Sequence, residues 1–306
     1  MYKSALADAN NKTLSPGERL RRSFEIVAAL YEIGEYQSGW PGISGIFLNC
    51  FEIYGENARF NSPIALYWSN WAIKVGEINQ VEKFISEYRE KNPGFDPALQ
   101  ELVLFEWQLV ELRMFLAKKD YSRLEKYLRS IDREVISLDQ KMSLDLLEAE
   151  SFLMKEIPVE ALKVISSERW VDRISADDPM ASNWFVYRYW IEGVALNEIG
   201  ESRRAHEVLS LAEAASVKKF GENHPNTLKI LLAKTYAGLR LKGDSGPPVE
   251  INEREVQRAV EMLRLKFPIN SRAVSEAVEL SRMVTDGSGR GASGGVGYLV
   301  QGAPFL

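Results

Sequence analysis

The chain is poor in the residues that most often carry chemistry. It has one cysteine, Cys50, so no intramolecular disulfide can form. Its two histidines, His206 and His224, are too few for a conventional histidine-rich metal site. No run of ~18 uncharged apolar residues occurs, so no transmembrane helix is expected. Residues 1–15, MYKSALADANNKTLS, lack the apolar core of a secretory signal. Without such a signal the sequon Asn11-Lys-Thr13 carries no weight. Basic residues are outnumbered, 38 against 43 acidic, for a net charge of -5. That balance argues against general affinity for nucleic acid or an anionic membrane. What is present is ordinary for a folded chain: 306 residues, 45% hydrophobic and 26% charged, enough for one large unit or two modest ones. The resulting expectation is a cytoplasmic protein without metal or cofactor.

Strand signals are scarce between residues 15 and 285, and apolar residues recur at helical spacing. Val256, Val260, Leu263 and Phe267 fall on one helix face, with Asn252 as the cap, Glu255 placed to bond back to it, and Pro268 as the stop. Ser271 begins another helix, with Ala277, Leu280 and Val284 on one stripe. Helix-ending turns are expected at Gly34, Gly76, Lys119, Glu156, Gly200 and Gly243, at intervals of 42, 43, 37, 44 and 43 residues. Each interval holds about two helices of ~14–20 residues, the period of a helical-hairpin solenoid. A lone hairpin cannot bury its apolar face, so neighbours must stack.

The repeat is clearest in its fifth unit. Gly193, the turn Gly200, Ala205 and Ala212 are small where two helices must approach, and Leu209 fills the space between. Gly221 is placed to end a helix in the left-handed conformation, and Pro225 to open the next. Together with the loop Gly221-x-x-His224-Pro225-x-Thr227-Leu228, residues Trp190 to Leu228 resemble a tetratricopeptide repeat of the kinesin-light-chain subtype. Other units match in part: Gly34, Ser69, Ala72, Gly76, Pro93, Tyr121, Ala149, Pro158, Ala161 and Gly243 fit. Gly39-Trp40-Pro41-Gly42 is expected to interrupt the second helix of the first unit, and Ser245-Gly246-Pro247-Pro248 that of the sixth. The resemblance implies an all-α, right-handed α-solenoid of about five to six helical hairpins that binds other proteins without catalysis. The division is a flexible N-terminus at 1–14, repeats at 15–245, C-terminal capping helices at 246–286, and a flexible tail at 287–306. Glycine supplies 7 of the 16 residues from Gly287 to Gly302, a costly density to order.

Candidate chemistry is thin. Gly289-x-Gly291-x-x-Gly294 matches a dinucleotide fingerprint in letters but has a helix before it and none after. Ser216-Val217-Lys218-Lys219 matches a serine–lysine acylase pattern without its companion motifs, and a solvated helix face is the plainer reading of Ser216. Asp177-Asp178-Pro179 reads as an N-cap and a first-turn proline better than as a metal pair. His224 reads as a loop-shaping residue, His206 lacks a motif that would make it a base, and Cys50 reads as a small buried hydrophobe. Arg19-Leu20-Arg21-Arg22 spreads its charge over more than one helix face.

Aromatics are the stronger signal. Trp184, Phe185, Tyr187, Tyr189 and Trp190 crowd one helix, more than one buried face can hold, whereas Trp68 reads as core. By resemblance, the first helix of each hairpin lines a concave groove. The groove-facing places are then Tyr187, Trp190, Val194 and Asn197 in the fifth unit, and Leu66, Asn70 and Ile73 in the second. The expected partner is a protein or peptide of apolar character, with oligomeric state left open. A ligand-sensing module acting on a separate effector is the alternative, and an all-α enzyme a third.

Overall fold

The computed structural model of the protein describes residues 13–55, 63–91, 101–166, 181–243 and 251–286. Among them every regular element is an α-helix. In chain order these are α1 (Pro16–Glu32), α2 (Tyr36–Tyr54), α3 (Pro63–Val75), α4 (Ile78–Lys91), α5 (Glu101–Ala117), α6 (Tyr121–Ser130) and α7 (Leu138–Met154). There follow α8 (Pro158–Ile165), α9 (Ala181–Glu198), α10 (Ser202–Phe220), α11 (Pro225–Gly243), α12 (Glu253–Lys266) and α13 (Arg272–Thr285). The chain divides into two compact units, Met1–Asp120 with α1 to α5 and Tyr121–Leu306 with α6 to α13. No described helix is long and apolar enough to cross a membrane.

One local device recurs where the sequence places its turns. Gly34, Gly76, Lys119, Glu156 and Gly200 all have positive φ, between 58° and 91°. At each, the amide of that residue bonds back three residues and the next amide bonds back five, as in Glu35 N to Leu30 O and Gly34 N to Tyr31 O. This pair of bonds is the Schellman closure, which satisfies carbonyls that the ending helix leaves open. Glycine adopts the required conformation freely. Lys119 and Glu156 adopt it against a side-chain penalty, so the two bonds and the packing of the flanking helices hold them there. The sixth expected turn residue, Gly243, is the last residue of α11.

Helix starts follow from their caps. Ser15 and Glu18 form a reciprocal capping box at α1, and Ser137 and Gln140 form another at α7. Asn252 takes the amides of Arg254 and Glu255 at α12, and Ser271 takes that of Val274 at α13. Gly221 ends α10 at φ 89°, and Pro225 opens α11. One expectation fails here. Gly39-Trp40-Pro41-Gly42 does not break the second helix; α2 runs through it from Tyr36 to Tyr54 with Pro41 inside. Pro41 costs only the bond to the carbonyl of Gln37, an exposed residue in the first turn. Gly39 is needed for another reason: a Cβ there would overlap the indole of Trp71, which is fully buried and donates Nε1–H to the Tyr36 carbonyl at 2.6 Å.

Packing is sequential. In the first unit α1 packs on α2, α2 on α3, α3 on α4 and α4 on α5. The odd-numbered helices also touch their next odd neighbours, α1 to α3 and α3 to α5. The second unit repeats this, with α7 to α9, α9 to α11 and α11 to α13. The most extensive contact is between α9 and α10. Gly193 faces the Leu209 side chain so tightly that a Cβ at 193 would collide with it. Ala205, Leu209 and Ala212 are all fully buried, as their small-large-small pattern requires.

Candidate functional site

The half-exposed polar groups of the first unit gather on its odd-numbered helices. Asn70 on α3 is the centre. Its Nδ2 donates to the Leu66 carbonyl at 3.0 Å, and its Oδ1 accepts from Arg113 Nη1 at 2.6 Å. Asn70 and Arg113 are 43 residues apart, and each lies six residues before a positive-φ turn, Gly76 or Lys119. The bond therefore joins the same place relative to two successive turns. It fixes the amide, so the second Nδ2 hydrogen of Asn70 remains unspent and defined in direction. One turn earlier on α3, Tyr67 packs edge-on against Phe24 (5.2 Å) and Tyr31 (5.6 Å) of α1. Burial, then the nearby Glu32 carboxylate, raise the pKa of its hydroxyl. Burial likewise raises Glu106 on α5, with Arg113 opposing it. Burial pushes Tyr31 up to about 12, again against Arg113. Phe24, Leu66, Tyr67, Asn70, Ile73 and Arg113 are all partly exposed. This face offers a fixed amide and two aromatic rings to a molecule lying across α1, α3 and α5, with the Arg113 guanidinium largely buried behind the amide, its Nε and Nη2 out of solvent.

The other nominated residues lie elsewhere in kind. Tyr187, Trp190, Val194 and Asn197 on α9 are 4%, 0%, 5% and 3% exposed, so no ligand reaches them and the expectation of a groove there is corrected. Tyr187 packs against Phe220 (6.1 Å) and its hydroxyl accepts from Asn226 Nδ2 at 3.4 Å. The Asn197 carbonyl accepts from Arg240 Nη1 at 2.7 Å. The half-exposed aromatics of α9 are instead Trp184, Phe185 and Tyr189, with Arg188 over the Tyr189 ring. Trp68 is core, stacked on Phe47 at 4.5 Å.

Ser216 is corrected as well. It is fully buried and shares a 2.7 Å hydrogen bond with Thr227, which pins the start of α11 to α10; Lys219 is exposed and takes no part. His224 accepts the Asn226 amide on Nδ1 and stacks on Phe220, as a loop-shaping residue does. Burial, then Lys234, lower the pKa of His206. Cys50 is a buried free thiol. Asp177-Asp178-Pro179, Gly289-x-Gly291-x-x-Gly294, Pro93, Ser245 to Pro248, residues 1–12 and the C-terminal segment at 287–306 lie outside the described residues.

Two features escaped sequence reasoning. Arg113 was findable: it stands 43 residues beyond Asn70, the interval between the turns at Gly76 and Lys119. The charged interior of the second unit was not. Lys229 on α11 is 4% exposed, and burial holds its pKa down to about 8 against the pull of Glu276 on α13 and Glu150 on α7. Its Nζ lies 4.9 Å from the Phe267 ring centroid. Arg272 on α13 pairs with Glu276 and reaches Met154 Sδ on α7 at 3.8 Å. Among the described residues no group of three potential metal ligands occurs. No protein-family model matches the chain, and no curated protein matches it in sequence.

Proposed function

We propose that the protein is a peptide- or protein-binding scaffold of tetratricopeptide-like solenoid construction, and that it binds through the α1–α3–α5 face of its first unit. The construction is supported by five identical turns at intervals of 37–44 residues, by contact between successive odd-numbered helices, and by the Gly193–Leu209 fit. The observation that carries the binding reading is the Asn70–Arg113 bond. It holds an amide with an unspent donor on a half-exposed face, which suits a peptide carbonyl. Phe24 and Tyr67 beside it supply aromatic anchors, each worth ~2 kcal/mol or more once desolvated. The cost of ordering a flexible peptide offsets part of that gain.

A displayed random-peptide library selected against the full chain tests the reading. Enriched peptides should bind the parent in a fluorescence-anisotropy titration and bind Asn70→Ala or Arg113→Ala about tenfold more weakly. Failure to enrich any sequence, or parental affinity in both variants, overturns it.

A further inference from the structure

The second unit carries a cavity of about 380 Å³ in which three helices converge: the C-terminal half of α10 and the opening turns of α11 and α12. Its volume falls in the range of small-ligand sites. Both charges line its walls: the carboxylates Glu213 and Glu222 stand on the α10 side, and Arg254 and Arg258 on the α12 side, where the Glu255 carboxylate also lines the cavity. The two arginines are four residues apart and so neighbours on one helix face. The floor between the walls is Val217, Thr227 and Leu231, and the Thr227 hydroxyl is already engaged by Ser216.

The walls are not equally occupied. Glu213 is bound to Lys234, which fixes that end of the acidic side. Glu222 and Arg258 meet across the opening at 3.5 Å, and both are well exposed, so their pairing contributes little and yields readily. Arg254 makes no ion pair among the described residues. A fork of two guanidiniums on one side, a lightly held carboxylate on the other and an aliphatic floor complement a molecule with a carboxylate at one end, an ammonium at the other and an apolar body.

We propose that this cavity binds a zwitterion of amino-acid to dipeptide size with an apolar side chain. The ligand carboxylate sits between Arg254 and Arg258, its ammonium replaces Arg258 at Glu222, and its side chain rests on Val217 and Leu231. The site lies wholly in the second unit and does not rest on the α1–α3–α5 reading.

Calorimetric titration of the full chain with leucylleucine is the test, with leucine as the shorter probe. Leucylleucinamide lacks the carboxylate and N-acetyl-leucylleucine lacks the ammonium. Saturable binding of leucylleucine or leucine is expected, at least tenfold tighter than either blocked compound. The R254A/R258A variant should lose at least tenfold toward the zwitterion and nothing toward leucylleucinamide. Glu222→Gln should erase the advantage over the acetylated compound. All three side chains are exposed, and helical content by circular dichroism confirms that the variants remain folded. No saturable binding in the millimolar range, or binding that ignores the end charges or the variants, overturns the proposal.

Discussion

The two units place the same register position in opposite environments. Six residues before their turns, the first unit has Asn70 and Arg113, both partly exposed, and the second has Glu150 and Val194, both buried. Each position lies on an odd-numbered helix that packs against its neighbours in sequence. The difference comes from what else arrives. In the second unit α13 bears on α11 and also reaches α7, where Arg272 meets Met154 across 118 residues of sequence. α7 and α11 are buried nearly all round, polar residues included, and Glu276 of α13 and Glu150 of α7 favour the charged form of the buried Lys229. In both units the substantial helix contacts join helices no more than two apart, so the reach of Arg272 to Met154 is what sets the second unit apart. Register says which residues share a row, and only the later fold says whether that row meets water.

The largest test of this contrast is truncation. Trp190 has no exposure, so Trp190→Ala should cost ~3–5 kcal/mol in chemical denaturation. A loss under ~1 kcal/mol would return α9 to the surface and revive the groove first expected there.

Alkaline titration separates the units by sign. Lys229 has a folded pKa of about 8 against an ordinary lysine value of 10.5. Between those values the unfolded chain binds a proton that the folded chain does not. Stability from this group therefore rises with pH from about 8 to about 10.5, by up to ~3 kcal/mol, and Lys229→Met should abolish the rise. Tyr31, raised to about 12, and Tyr36, raised well above 10, act oppositely. They keep their protons when the unfolded chain has lost them, so their contribution falls as pH climbs above 10. Hydrogen exchange followed by unit should show the second gaining protection over the first between pH 8 and 10. Parallel behaviour would count against the buried lysine.

Gly193→Val should cost ~1–3 kcal/mol by overpacking against Leu209, and Leu209→Ala in the same chain should recover part of it. Purely additive losses in the double variant would mean that the two residues do not meet. The smallest effect is expected at Asn70. Replacement by alanine removes one acceptor from Arg113 on a half-exposed face, at ~1 kcal/mol of stability in the same denaturation assay. A much larger loss would show Asn70 to be structural first.

Turn positions were legible because they are local. Glycine or a residue tolerating positive φ ends a helix through bonds spanning five residues, and sequence spacing records such events directly. The all-helical class, the caps at Asn252 and Ser271, the stripe Ala277-Leu280-Val284 and the burial of Ala205 and Ala212 were legible for the same reason. Pro41 misled because a helix tolerates proline near its start when the lost bond faces solvent. Ser216 misled because hydroxyls at buried helix crossings look, in sequence, like any surface serine. Of the candidate face, Asn70 and Ile73 were found from register. Tyr187, Trp190, Val194 and Asn197 are buried under neighbouring helices of their own unit, Tyr187 against Phe220 of α10 and Asn226 of α11, and spacing alone does not record how closely those helices pack.

The reach of Arg272 to Met154 also has a consequence in time. Nearly all helix contacts in both units join segments close in sequence, and such contacts form early and fast. The contact between α13 and α7 must instead close a loop of 118 residues, at a larger entropic cost. During synthesis α7, α9 and α11 emerge and pack before α13 exists. The buried lysine of the second unit thus spends its first moments without the carboxylate of Glu276, until α13 arrives to supply it.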